Sequence, residues 1–328
     1  MPRSSLTNTG AVVIGRNEGE RLKRCLTSLS TAGVVIYVDS GSTDGSSQWA
    51  ADRGAEVIEL DASLPFTAAR ARNSGIQRLR EIAPLIDYIQ FVDGDCELVD
   101  GWLEVAISLL DSQTDVGAVC GRRRERFPEK SIYNWLCDRE WEGRAGEVRA
   151  CGGDVMIRTS SLAAVGGYRD DMIAGEEPEL CVRLRAAGWL VWRLDADMTL
   201  HDAAMTRFGQ WWARTSRSGY AFAHGAYLHG TSPERHCVWE SRRAWVWGVW
   251  LPLGCLAAGL TFGPWGWATW LIYPLQILRQ TARNSGPLSR RATLALYQVL
   301  GRFPEALGEI RFMRDRLLGR RAQLIEYK

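Results

Sequence analysis

The chain has 328 residues, 46% of them hydrophobic and 24% charged, with a formal charge of +2. It is long enough for one large α/β domain with an appendage or for two modest domains, and its composition excludes a disordered or low-complexity protein. The charge is uneven: from Arg279 onward eleven Lys/Arg face four Asp/Glu, which leaves everything before it at −5. A basic end of this kind suits an anionic surface; nucleic acid would also fit, but the apolar sequence beside it favours a membrane.

Eight scattered cysteines form no C-x-x-C pair, which argues against a zinc framework or a compact disulfide scaffold and suits a reducing cytosolic face. The first ten residues contain no apolar segment of signal-peptide length.

In chain order, Ala11–Ile14 is a short apolar run ended by Gly15 and predicts a buried strand. Leu22, Leu26 and Leu29 recur at helical spacing over Glu20–Leu29. Val34–Val38 predicts a second strand, Ser46–Arg53 a helix and Glu56–Leu60 a third strand. A helix over Ala68–Arg80 and a strand over Tyr88–Val92 follow. Strands alternating with helices at this spacing predict a mostly parallel sheet covered on both faces, with ligands beyond the carboxyl ends of the strands. Arg16-Asn-Glu18, Asp39-Ser-Gly-Ser-Thr-Asp44 and Asp93-Gly-Asp95 would then share one rim.

From about Val116 the pattern becomes mixed: a strand over Ala150–Ile157, a helix over Glu177–Ala187, a short strand over Leu190–Leu194, then His201. Ala244–Leu278 contains no charge and six of the fifteen tryptophans. As one helix it would span roughly 52 Å, against a bilayer core of about 30 Å. Gly263-Pro-Trp-Gly266 breaks it in the middle, and Arg242, Arg243, Arg279 and Arg283 flank it. A helical hairpin with both ends on the cytoplasmic side fits that pattern, with a buried helix pair or a dimer interface as the alternative. The expected division is 1–235 catalytic, 236–280 hairpin and 281–328 basic helical tail, and a homo-oligomer is left open.

The chemistry centres on Asp93 and Asp95. Strand residues alternate faces, so both carboxylates are expected to point the same way where the strand ends and to hold a hard divalent cation. Asp39 can accept hydrogen bonds from a nucleoside or start an Asx-turn. Glu18 and Asp44 can cap the helices that follow them. Glu176-Glu177 is an acidic helix start with Pro178 at an early position.

Together Val12-Val-Ile-Gly-Arg-Asn-Glu18, Val38–Ser46, Ala71-Arg-Asn-Ser-Gly75, Phe91-Val-Asp-Gly-Asp95, Cys151-Gly-Gly-Asp154, Gly175-Glu-Glu-Pro-Glu-Leu180 and His201 resemble the inverting family 2 glycosyltransferases over about two thirds of the chain. The resemblance implies a GT-A nucleotide-sugar-binding α/β fold and Mg²⁺ or Mn²⁺ as cofactor. It implies nucleotide contacts from Glu18, Asp39, Arg72, Asn73 and Asp93, and places Gly153 and Asp154 against the sugar. Asp95, with Asp93 and His201, would hold the metal. Glu177 matches the family's usual catalytic aspartate, with Glu176 as the other candidate. The extra methylene moves the carboxyl outward. Gln210-Trp-Trp-Ala-Arg214 lacks the final Trp of processive members, having Thr215, which argues against processive synthesis; Arg214 could still reach a diphosphate.

The expected activity is transfer of a sugar, UDP-linked, to a hydroxyl of a lipid-linked saccharide at the cytoplasmic face of the membrane, in surface or exopolysaccharide synthesis. The alternatives are transfer to polyprenyl phosphate and a silent membrane scaffold. A dinucleotide oxidoreductase is disfavoured, since no G-x-G-x-x-G follows the first strand.

Overall fold

The computed structural model describes residues 6–320. The chain divides into two compact units after Thr206. Nine strands form one sheet in the first unit: β1 (Thr9–Gly15), β2 (Val34–Asp39), β3 (Glu56–Glu59), β4 (Tyr88–Asp93), β5 (Cys96–Leu98), β6 (Val116–Glu125), β7 (Gly146–Glu147), β8 (Val155–Arg158) and β9 (Leu190–His201). Their order is β3-β2-β1-β4-β8-β6-β9-β5, with β7 on β9.

The half built from β1 to β4 is parallel, as the alternation of strands and helices predicts. Beyond β4 the sheet is mixed, because β8 enters antiparallel to both β4 and β6 while β9 runs parallel to β6. Ala11, Val12 and Val13 of β1 are fully buried, as are Ile36, Tyr37 and Val38 of β2. Central strands of this kind read as continuous apolar runs because both faces are covered.

Two predicted strands differ from the observed ones. The Ala150–Ile157 strand starts only at Val155, since Cys151–Asp154 peels away to lie against the rim. The Leu190–Leu194 strand continues to His201, so His201 ends β9 rather than following a short strand. The polar Asp195 and Asp197 interrupt its apolar alternation, yet its backbone still pairs with β6 through several register shifts.

The helix Ala68–Ile82 packs on β1 through Gly75, where a Cβ would lie 2.4 Å from Val12 Cγ1.

The second unit is helical. The helix Phe208–His229, which the sequence grouped with the catalytic region, belongs to it. Its small residues admit the helix Arg302–Leu317 so closely that a Cβ on Gly219 would meet the Glu305 carbonyl oxygen at 1.9 Å. Val238–Phe262 is the one helix among the described residues long and apolar enough to cross a membrane. It contains a π-turn at Val246–Trp250 and ends at Gly263, whose φ of +58° reverses the chain. The helix Ile272–Arg283 carries the return. The basic tail is helical over Leu288–Leu300 and Arg302–Leu317, and positions 321–328 lie outside the described residues.

Gly75→Val should cost about 1–3 kcal/mol by overpacking against β1. Chemical denaturation should show a lower midpoint with an unchanged slope; an unchanged midpoint would mean that the helix can move off the strand.

Candidate active site

The carboxyl ends of β1, β2 and β4 bring their three loops together. Asn17 Oδ1 accepts from the Thr43 backbone N–H at 2.7 Å, and the Gly94 N–H donates to the Ile14 carbonyl at 2.8 Å. Asp39 closes the turn after β2: Tyr37 Oη donates to its Oδ1, and the Gly41 and Ser42 N–H groups donate to its Oδ2. That is an Asx-turn. Asp44 accepts from the Ser46 N–H at the start of the next helix, as expected of a cap. Glu18 lies against Gly15 and Gly94 and pairs with Arg21 at 2.8 Å.

Arg72 is the hub. Its side chain is only 2% exposed, and its Nη2 donates to Asp93 Oδ1 at 2.9 Å. Its Nη1 lies 2.9 Å from both Glu176 Oε1 and Glu177 Oε1. Burial opposes the charge on Arg72, but the carboxylates around it keep the guanidinium protonated. Arg123, which the sequence reading missed, grips the other side. Its Nη2 donates to Asp93 Oδ2 at 2.8 Å and its Nε to Asp154 Oδ2 at 2.7 Å. Burial would raise the Asp93 carboxyl, yet Arg72 and Arg123 outweigh it and hold Asp93 well below the usual carboxylate range.

Asp95 turns elsewhere. β4 ends at Asp93, so strand alternation does not carry over to Asp95, and the two carboxylates are not the side-by-side pair expected from Asp-Gly-Asp. Asp95 Oδ2 lies 3.2 Å from His201 Nε2. On the far side of the ring, His201 Nδ1 lies 3.3 Å from Glu125 Oε2. Glu125 is itself fixed by the Asn134 side-chain amide and by the N–H groups of Phe127 and Ala203. Burial lowers the His201 pKa against the pull of Glu125, so the ring is neutral and can offer a lone pair.

A carboxylate oxygen and an imidazole nitrogen converging in this way fit a divalent cation such as Mg²⁺ or Mn²⁺. Cys96 adjoins them, but burial pushes its thiol up, so it stays protonated and adds no thiolate. The second acidic cluster, Asp93–Cys96–Asp154, already contains the Arg123 guanidinium as its cation. Asp93 therefore faces arginines, while Asp95 and His201 form the metal-fitting pair.

Gly153 lies directly over this network: a Cβ there would be 2.6 Å from Arg72 Nη2 and 2.7 Å from Asp93 Oδ2. Asp154 is buried behind it, accepting also from the Asp93 N–H and Thr199 Oγ1. It braces Asp93 from within and is closed to a sugar. Asn73 spends its amide on the loop at Tyr168–Asp170, in three hydrogen bonds of 2.7–2.9 Å. Arg70 holds the carbonyls of Asp61, Leu64 and Pro65. Both residues shape the rim rather than face into it.

Glu176 and Glu177 open the helix Glu176–Ala186 after Gly175, whose φ is +78°. Glu176 is buried, and its Oε2 has no hydrogen-bond partner. Glu177 is more open, with a side chain 15% exposed. Burial first, and repulsion from Glu176 second, push its carboxyl up to about 7.

Arg214 lies on Phe208–His229 in the second unit. Trp211 is buried edge-on against Tyr297.

An α/β sheet with an Asp–His pair and an acidic helix start on one rim defines a glycosyltransferase domain of the GT-A kind. Residues 11–165 match the model of glycosyl transferase family 2, so the chain carries a domain of that family. It is 25% identical over 217 residues to the succinoglycan biosynthesis protein ExoA of Rhizobium meliloti, covering 60% of this chain and 64% of that protein. It is 24% identical over 242 residues to the pre-mycofactocin glycosyltransferase of Mycobacterium tuberculosis, covering 66% and 47%. The chain thus spans less than two thirds of these curated relatives. Among solved structures, the mannosyltransferase PcManGT of Pyrobaculum calidifontis, in complex with GDP-Man and Mn²⁺, aligns with a TM-score of 0.58 at 16% identity over 94% of this chain and 88% of that one. S. aureus TarS aligns with a TM-score of 0.53 at 13% identity, covering 92% and 55%.

Arg72→Met should destabilise the fold by about 3–5 kcal/mol, because it strands buried carboxylates. The loss should shrink as the pH falls through about 7, where Glu177 takes up a proton and no longer needs a counter-charge. Urea unfolding on both sides of that pH would measure it; a pH-independent loss would show that Glu177 is not among the carboxylates that Arg72 stabilises.

Proposed function

We propose that this chain is a membrane-associated, inverting, metal-dependent glycosyltransferase. It transfers a sugar from a nucleoside diphosphate-sugar, UDP-linked in this reading, to a hydroxyl of a lipid-linked saccharide on the cytoplasmic leaflet, in surface or exopolysaccharide synthesis. The observation that carries the reading is the ion-pair bridge of Asp93, Arg72 and Glu177, which ties the donor side of the rim to the candidate base. The polysaccharide role follows the likeness to ExoA, and the donor base follows the family resemblance. Membrane association rests on the apolar helix Val238–Phe262 and on the arginines that flank the charge-free segment 244–278.

Asp95 and His201 would hold the cation, with Glu125 fixing the ring so that Nε2 faces the site. When bound, the cation neutralises charge on the departing diphosphate. Glu177 takes the proton from the acceptor hydroxyl as its oxygen bonds to the anomeric carbon and the bond to the diphosphate breaks. No covalent sugar–enzyme intermediate forms. A carboxyl held near 7 suits this task, since a general base works best with a pKa close to the working pH. Arg72 keeps Glu177 in place, and Gly153 lets the backbone approach where a side chain would collide with Arg72 and Asp93.

Glu177→Gln should lower turnover by about 10²–10⁴-fold, with metal-dependent donor binding intact. In the unsubstituted protein, turnover should rise with pH through about 7, as Glu177 loses its proton, and the residual activity of the variant should lack that limb. Release of nucleoside diphosphate from a panel of nucleotide-sugars would measure both. Near-normal turnover in the variant would instead favour an acceptor that is already ionised, such as polyprenyl phosphate.

Glu125→Gln should weaken Mn²⁺ binding by about 10–100-fold, read from the spin-resonance signal of free Mn²⁺ without turnover. Unchanged affinity would remove Glu125 from the metal site.

A further inference from the structure

A pocket of about 210 Å³ opens among the helices of the second unit, bounded by Arg243, Trp247, Gln276, Gln280, Gln298 and Arg302. Two guanidinium groups and three amides are an unusual lining beside helices with so apolar an exterior. Leu253, Leu260, Trp265 and Leu275 are each more than half exposed. Among the residues that line it, Arg243 Nε and Gln280 Oε1 are buried with no hydrogen-bond partner. A buried polar atom left this way costs about 1–3 kcal/mol, so two at one place point to a polar occupant. Arg243 makes no ion pair among the described residues, whereas Arg302 commits its Nη1 to Glu305.

The position is as informative as the lining. Arg243 is the last charge before the charge-free segment 244–278, and Gln276 and Gln280 straddle its other end. The pocket therefore sits where both apolar arms emerge, the depth at which lipid headgroups lie. The π-turn at Val246–Trp250 builds its wall. The Trp247 carbonyl accepts from Tyr273 Oη at 2.7 Å, and Gly248 lets the turn approach the Arg302 carbonyl, where a Cβ would come within 2.4 Å. Such π-turns are frequent at functional sites.

We propose that this pocket binds a phosphate group, and that its occupant is the phosphate of an anionic lipid headgroup. Guanidinium forks match phosphate oxygens in pairs, and the amides can both donate to the oxyanion and accept from a protonated oxygen. The inference rests on the membrane-associated reading above but not on the transfer reaction.

The test uses the full chain and phosphatidylcholine nanodiscs with and without phosphatidic acid, with inorganic phosphate as a separate arm. The unsubstituted protein should bind phosphatidic acid saturably and at least about tenfold more tightly than phosphatidylcholine alone. Arg243→Gln should lose about tenfold of that affinity, the worth of one charge-assisted contact, and Arg243→Lys should recover it only in part. Arg279→Gln, an exposed charge beside Gln280, should change it little. Mn²⁺-dependent donor binding should stay intact in all three variants, which keeps this test separate from that of the active site, and an unchanged far-UV circular dichroism melt confirms that the helical unit is folded. Equal losses at Arg243 and Arg279 would reduce the effect to diffuse surface attraction and overturn the proposal. Saturable binding of inorganic phosphate with no preference for phosphatidic acid would overturn the lipid assignment.

Discussion

Arg72 is the constraint on which the rest of the rim depends. A guanidinium buried this deeply survives only because Asp93, Glu176 and Glu177 surround it, and they in turn would be costly to bury without it. Arg123 repeats the arrangement on the other side of Asp93, between Asp93 and Asp154. The interlocked charges fix the end of β4, the start of the helix Glu176–Ala186 and the Cys151–Asp154 loop relative to one another. The absence of a side chain at Gly153 follows from the same network, because Arg72 and Asp93 already fill the space its Cβ would take.

The network also divides the labour of Asp-Gly-Asp. Asp93 is spoken for by two arginines, so its charge is balanced within the protein. Asp95 instead has a neutral imidazole for its neighbour, the carboxylate–imidazole pairing that fits a divalent cation. Glu125 completes that side by holding the far nitrogen of His201. One half of the rim is thus a carboxylate set neutralised by arginines, and the other pairs a carboxylate with a neutral imidazole.

The helical unit follows different rules. Its helices meet through small residues, with Gly219 and Gly308 allowing backbone contact, and its large apolar side chains face outward. This inverts the pattern of the sheet unit, where the apolar residues fill the core. Polar groups are drawn inward around Arg243 and Gln280, at both ends of the charge-free segment.

The sequence by itself determined the parallel half of the sheet and the rim at its edge. Each of those strands is a continuous apolar run that stops at polar, turn-forming residues, and this signal is local. The acidic helix start at Glu176-Glu177 and the chain break at Gly263 were legible for the same reason. Tertiary structure alone decided how the site is wired. Arg123 and Glu125 sit in a run of five charged residues, Arg122–Arg126, and only the pairing of β6 shows that these two turn inward while Arg122 and Arg124 turn out. The parting of Asp93 from Asp95 depends on where β4 stops. The use of Asn73 as a staple depends on a loop ninety-five residues away. The boundary after Thr206 depends on helix contacts with residues near 305. These are long-range pairings, set by which surfaces meet in space, and no local periodicity records them.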